Sequence, residues 1–381
     1  MKLKYKVSLS MLLINLIIVA LSVTGYYWLN HDEVKKDVTS NLNLIAHNVA
    51  KSISQKIDAQ KKVVQTLAHS PLLYEQLVKS NQTYQQIPTA ERDQKIQALN
   101  DAWHQNTSLN APIVSTRLHN PTANLLKAQQ GLFPGVYGEL FVTNKFGVMI
   151  GATGKLTTVA HASKYWWKNA YNNGSPLIFI DDRGYDLSAE GYVLGIVVPI
   201  VQAGEFLGIL KANINIIDMF KAMATNDFPT PYPLMLQLAR KGGILVYKPG
   251  IEPLSEELPA SLVSLMSNNN KFQQHIEPFG FLSGHIVPIT GHNFGGKASG
   301  IDQKQGNQSN EAWFLLISAA TEPVFASMKK QTNQLFLGLF LLVLLLANIA
   351  YFYGHWAVKS IVQLTSMANT LGEGHLSTRI H

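Results

Sequence analysis

The 381 residues contain no cysteine. Disulfides, thiolate nucleophiles, iron–sulfur clusters and cysteine-type zinc sites are therefore excluded, even in an oxidising compartment. Charge is scarce as well, at 14% of residues against 46% hydrophobic. Two stretches, residues 7–29 and 335–353, have no Asp, Glu, Lys or Arg at all. Catalytic signatures are missing too. No nucleophile elbow and no His-Glu-x-x-His occurs, so nothing marks the chain as an enzyme. His275, His285 and His292 lack the regular spacing and the carboxylate in phase that a zinc site needs. Gly291-His292-Asn293-Phe294-Gly295-Gly296-Lys297 nearly spells a phosphate-binding loop, but Ala298 follows where a hydroxyl for Mg²⁺ is required. No metal or cofactor is expected. Net charge is +7, of which Lys2, Lys4 and Lys6 supply three and the segment after residue 353 one more. The three that remain are too few to argue for nucleic acid.

What is present begins with the two uncharged runs. Each is long enough to cross a hydrocarbon core of roughly 30 Å, which takes about 20 helical residues. Lysines precede the first run, whereas Asp32, Glu33 and Asp37 outweigh two lysines after it. The positive-inside rule then puts residues 1–6 in the cytoplasm, 30–334 outside and 354–381 back inside. Tyr26, Tyr27 and Trp28, and Tyr351, Phe352, Tyr353 and Trp356, suit interfacial aromatic belts. A cleaved signal peptide is the alternative for the first run, with Ala20-Leu21-Ser22 as its cleavage site. Apolar character continuing through Leu29 into an amphipathic helix favours an uncleaved anchor.

From residue 38 to about 70, Leu42, Ile45, Val49, Ile53, Ile57, Val64 and Leu67 recur at three- and four-residue steps, predicting a stalk helix that Ser70-Pro71 ends. Residues 74–110 are polar and helix-compatible. A β pattern then takes over: residues 139–143, a type I turn from Asn144 to Gly147, and residues 148–150. A helix is expected at 161–171, a short strand at 177–180, and a longer pair at 192–200 and 206–216. The order recurs at 234–238, 244–247, a helix at 255–266, and strands near 272–276, 284–289 and 313–319. Two tandem α+β modules follow, residues 111–226 and 232–325, joined by the proline-rich run Phe228-Pro229-Thr230-Pro231-Tyr232-Pro233. Residues 291–310 read as a mobile Gly/Asn/Gln-rich loop.

One cluster stands out. Lys164, Tyr165, Trp166 and Trp167 fall on the helix of the first module, and Phe179, Asp181 and Asp182 on the next strand. Adjacent tryptophans are not expected to face one core together, so at least one should line a groove or surface. Aromatic walls with one cation and one carboxylate suit a small polar or zwitterionic ligand. A tryptophan that merely anchors the helix, with Lys164 in solvent, explains the same residues equally well.

Residues 38 to about 330 resemble the bacterial double Cache sensors. The resemblance rests on Tyr137-Gly138-Glu139-Leu140-Phe141-Val142-Thr143-Asn144 with Gly147, on Trp166-Trp167, and on Val198-Pro199-Ile200, Gly204 and Leu207-Gly208-Ile209-Leu210-Lys211-Ala212. It implies two PAS-like modules on a long helix, the first membrane-distal. The tail is similar to the opening of a HAMP domain: Ile361, Leu364, Met367 and Leu371 at helical spacing, then Gly374-His375-Leu376-Ser377-Thr378-Arg379-Ile380, with Ser360 and His375 departing from the family's Pro and Asp. In amino-acid-binding members the distal module carries Arg-x-Trp-Tyr, an acid on the next strand and an Asp on the last. Lys164, Trp166, Trp167, Phe179, Asp181 and Asn213 are the ligand-binding positions this implies, with Asn213 in place of the final Asp. An organic acid, an amine held by Asp181 or Asp182, or no small ligand all remain open.

The expectation is a homodimeric two-span receptor of a bacterial inner membrane, sensing an unidentified extracytoplasmic small molecule. Chemoreceptor is the first output and sensor kinase or diguanylate cyclase the second, with a segment beyond His381 either cut off or never present. A two-span scaffold protein and an anchored hydrolase are the readings from other classes.

Overall fold

The computed structural model describes residues 2–216, 220, 228–288, 293–295 and 311–372. The chain divides into two units, residues 1–38 with 320–381, and residues 39–319. The first unit holds the start of α1 (Lys2–Ala68) and α8 (Thr321–Gly372). Each helix contains a window long and apolar enough to cross a membrane, with almost none of it buried in protein. Ile17, Leu21, Leu341 and Leu345 are more than half exposed. In a soluble protein such surfaces would be buried against a core, so their solvent is expected to be lipid.

The second unit begins where α1 turns amphipathic. Leu42, Val49, Ile53, Ile57, Val64 and Leu67 are buried as the three-four spacing predicts, while Ile45 is only half-buried and Ala46 takes the inward position beside it. The helix stops at Ala68, and Pro71 opens α2 (Pro71–Gln85), since proline is tolerated in a first helical turn and not further in. Next come α3 (Thr89–Gln105), α4 (Pro112–Leu118) and α5 (Pro121–Leu132). The last two helices occupy sequence from which no helix was expected. Their signal is local: the Asn120 side chain accepts from Ala123 N at 2.8 Å, with Pro121 in the first turn.

The first sheet contains β1 (Tyr137–Asn144), β2 (Met149–Ala152), β3 (Phe179–Asp186), β4 (Gly191–Gln202) and β5 (Glu205–Asn215), with α6 (Tyr165–Tyr171) packed across it. At the expected turn, Gly147 N donates to Asn144 O at 2.9 Å. Gly147 has φ +77°, and a Cβ there would meet the Ala162 backbone at 2.3 Å, so only glycine fits. The second sheet contains β6 (Met235–Arg240), β7 (Leu245–Tyr247), β8 (Lys271–Ile276), β9 (Gly280–Pro288) and β11 (Glu311–Ala319), with α7 (Ala260–Asn268) against it. The fold class is α+β, with two sheets and a long helix, as the sequence pattern implies.

Several elements shift. The helix expected at 161–171 starts at Tyr165, the one at 255–266 lies at 260–268, and the strand at 177–180 extends to Asp186. The first sheet is also not wholly antiparallel. Its strand order is β10-β3-β4-β5-β1-β2, where β10 (Asn293–Gly295) arrives from the second half of the chain and pairs parallel to β3. An edge strand presents unpaired N–H and C=O groups, and β10 supplies their partners. The rest of the expected loop, including Gly291, His292, Gly296 and Lys297, lies outside the described residues, as does the HAMP-like segment from Gly374 to Ile380.

Candidate functional site

On the inward face of the first sheet, register places four residues in one row: Glu139 on β1, Asn213 on β5, Gly195 on β4 and Asp181 on β3. The next row is Phe141, Lys211, Val197 and Phe179. α6 covers these rows. Trp166 meets Phe141 edge-on at 5.7 Å, and Trp167 donates its indole N–H to Thr143 Oγ1 at 3.2 Å. Phe141 and Thr143 are two apart on one strand and so share a face.

That geometry corrects the expectation for the tryptophan pair. Both indoles are buried in one core, with Trp103, Met149, Phe179 and Ile209. Residues one apart on a helix differ by about 100°, yet a two-turn helix lying across a sheet can set one ring on each side of its axis. Trp166 leans toward Phe141 and His161, and Trp167 toward Tyr171 and Phe206.

The centre of the face is charged. Lys211 Nζ lies 2.5 Å from Asp181 Oδ2 and 4.5 Å from the centre of the Trp166 ring. The Tyr165 hydroxyl donates to Asp181 Oδ1. An indole face, a carboxylate and a phenol thus surround one ammonium group, which satisfies it by cation–π attraction and ion pairing away from water. Lys211 sits on β5 and Asp181 on β3, two strand spacings or about 10 Å apart. The lysine stem crosses the intervening strand at Gly195, where a Cβ would lie 2.8 Å from Lys211 Cε and 3.0 Å from Asp181 Cβ.

Beside the pair, Asn213 Nδ2 donates to Glu139 Oε1 at 2.7 Å and lies 3.4 Å from Asp186 Oδ2. Asn213 Oδ1 is buried with no hydrogen-bond partner among the described residues. Glu139, Asp181 and Asp186 thus bring three carboxylates to this face, with Lys211 as the cation among the described residues, all under 5% exposed. Asp186 joins them through a bulge in β3. Register skips from Asp182 opposite Leu194 to Gly184 opposite Val193, which returns Asp186 to the face of Asp181.

Asp182 faces the other way. Its carboxylate accepts from Arg240 Nε and Nη2, both at 2.6 Å, and from Trp313 Nε1 at 3.3 Å. Arg240 and Trp313 are register partners on β6 and β11 of the second sheet. A bidentate, buried guanidinium–carboxylate pair therefore joins the two modules.

No family model matches the sequence, and no curated protein matches it. Solved structures do. The chain is similar to the sensory domain of the Campylobacter jejuni chemoreceptor Tlp3, at 12% identity over 77% of this chain and 97% of that one, TM-score 0.47. It is also similar to the ligand-binding domain of the Pseudomonas fluorescens chemoreceptor CtaA, solved with L-leucine, at 12% identity over 77% and 99%, TM-score 0.46. The extracellular domain of the putative histidine kinase rpHK1S-Z16 gives 12% identity over 76% and 97%, TM-score 0.46.

Of the residues singled out from sequence, the structure brings Trp166, Phe179, Asp181 and Asn213 together and sets Trp167 one strand position further along. Lys164 is exposed at the start of α6, away from the buried group. Among the described residues the cation of the site is Lys211 instead; Tyr165, named in the cluster but not among the ligand-binding positions, belongs to it, as do Glu139, Asp186 and Gly195, which sequence reasoning did not assign to a site. Strand alternation held the signal for Lys211, since it lies two residues from Asn213 and must share its face.

Proposed function

We propose that this chain is the extracytoplasmic sensor and membrane portion of a two-span, homodimeric signalling receptor, with cytoplasmic termini and residues 39–319 outside a bacterial inner membrane. The observation that carries the reading is a buried polar site in a folded unit whose two ends run directly into membrane-length apolar helices. The ligand enters between α6 and strands β3–β5. Asp181, Tyr165 and the Trp166 ring already hold one ammonium group, which favours a small molecule bearing another that takes the place of Lys211. Asp182 faces the second module, where it is engaged by Arg240, so Asp181 is the acid favoured for the amine.

The relay follows from β3. Asp181 reads the site, and its neighbour Asp182 holds Arg240 and Trp313. Trp313 lies on β11, and a single residue separates β11 from α8. Ligand exchange at Asp181 therefore shifts a strand that the second module grips from its other side. The signal needs differential affinity for two states, with a coupling of roughly 1–3 kcal/mol. α8 then passes it toward the HAMP-like segment, and a chemoreceptor or a sensor kinase is the output.

The test uses the full chain in detergent and in vesicles. Small amines screened by thermal shift should include one whose stabilisation is lost in Asp181→Asn and weakened in Trp166→Phe. Asp182→Asn should keep binding and lose the ligand-induced change in a probe on α8. Affinity untouched by both site variants overturns the site. Protection of residues 39–319 from protease added to intact spheroplasts overturns the receptor.

A further inference from the structure

A second polar cleft, on the same module but away from the Lys211 face, is bounded by α2, α4, the start of α5 and β2. Its volume is about 320 Å³, within the range of small-ligand sites. Lys79 and Arg117 line it, together with Ser80, Tyr84, Thr116 and Asn120, and no Asp or Glu does. Arg117 is half-buried and held in place by protein carbonyls, Nε on Met149 O at 3.2 Å and Nη1 on Ile113 O at 3.0 Å. Neither Arg117 nor Lys79 has a carboxylate within 4 Å among the described residues. A fixed, partly desolvated guanidinium without a counter-ion is a strong attractor for an oxyanion. Burial pushes the Tyr84 phenol above its usual range, so its hydroxyl stays a donor at neutral pH, and burial lowers Arg117 from its very high ordinary value without discharging it.

We infer that this cleft is a binding site for a small dianion, a dicarboxylate or a phosphate group, clasped by Arg117 and Lys79 with hydroxyl donors around them. It is independent of the ammonium reading of the Lys211 site. Its position gives it a consequence: α2 follows the stalk helix α1 after a break of two residues, so an anion bridging Lys79 on α2 and Arg117 on α4 ties the stalk's end to the module.

The experiment is calorimetric titration of the full-length chain in detergent, at fixed ionic strength, with inorganic phosphate and separately with succinate. At least one should bind, and Lys79→Glu should weaken it by about tenfold or more, equivalent to about 1.4 kcal/mol. Lys79 is exposed, so this variant should fold, and its melting temperature reports whether it does. Arg117→Lys retains the charge but loses the fork, and should also weaken binding. Asp181→Asn should leave the affinity unchanged. No heat from either anion overturns the proposal, and so does equal affinity in Lys79→Glu and the parent chain. Binding of phosphate alone or succinate alone identifies which dianion the cleft takes.

Discussion

Replacing Lys211 by alanine is expected to cost the sensor about 3–5 kcal/mol, the penalty for removing one partner of a buried ion pair. The structure says why the loss is large. Asp181 is fully buried, its Oδ2 faces the ammonium at 2.5 Å, and the ammonium also rests on the Trp166 ring, a contact worth about 2 kcal/mol where water is excluded. In a unit of this size the loss corresponds to a fall of roughly 5–8 °C in melting temperature. Asp181→Asn with Lys211→Met should recover most of it, because a neutral amide beside an apolar stem leaves no charge unmatched. The informative arm is chemical rescue. n-Propylamine carries the three carbons and the ammonium that the alanine substitution removes. It should raise the melting temperature of Lys211→Ala in proportion to the logarithm of its concentration and leave Lys211→Ala/Asp181→Asn unmoved. Tryptophan fluorescence during thermal unfolding reads all of these. If Lys211→Ala melts with the parent chain, or if the amine stabilises the variant and the double variant alike, the Trp166–Asp181–Tyr165 group is not an ammonium cage.

Asp182→Leu and Arg240→Met should each destabilise by about 3–5 kcal/mol, whereas Asp182→Leu/Arg240→Met should lose much less than their sum; a strictly additive double-mutant cycle by denaturant unfolding would refute the clamp between modules. Gly195→Ala should lose about 1–3 kcal/mol by overpacking, since its Cβ would lie 2.8 Å from Lys211 Cε, and should lose less when Lys211→Ala is added; a neutral Gly195→Ala in thermal melts would show that the lysine stem does not cross there. His285, whose Nε2 lies 2.7 Å from Asn43 Oδ1, is held below its ordinary value of 6.5 by burial first, then by His47 and Lys271. The unfolded chain therefore takes up the proton first, so stability is full above about pH 6.5 and falls as pH drops below it, until the folded histidine also protonates. Melting curves of His285→Gln should lose that part of the acid dependence, and an unchanged slope would assign it elsewhere.

The strands were readable as apolar runs bounded by turn residues, and β4 and β5 are such runs, buried at every position from Val193 to Val198 and from Leu207 to Ile214. α4 and α5 were not read, although Asn120-Pro121 is a capping signature; helices of seven and twelve residues leave little periodicity beside it. β10 was beyond reach, since three residues from the second half of the chain pair with an edge strand of the first module. Lys211 was half legible. Its face follows from its offset to Asn213, but its partner depends on strand order and on the glycine that clears its path. Asp186 could not be placed at all by counting. It lies five residues from Asp181, an odd interval that alternation assigns to opposite faces, and only the bulge before Gly184 reverses that.

The adjacent acids of β3 show what kind of device this register builds. Neighbouring residues on a strand point to opposite faces, so Asp181 and Asp182 cannot serve one site. One carboxylate is fixed by Lys211 and Tyr165, the other by Arg240 and Trp313, and both are fully buried. A charge in that position is costly to leave unmatched, which makes each side intolerant of small displacements. A shift of β3 by a fraction of an ångström, too small to alter the apolar core around it, still misaligns two hydrogen bonds of 2.6 Å on the far side. Apolar contacts would absorb such a shift gradually. A bidentate pair resists it and then gives way, which favours two discrete arrangements over a continuum. A ligand that displaces Lys211, as proposed, would thus act on a strand whose opposite face holds Arg240 and Trp313, the latter on the strand that leads to α8.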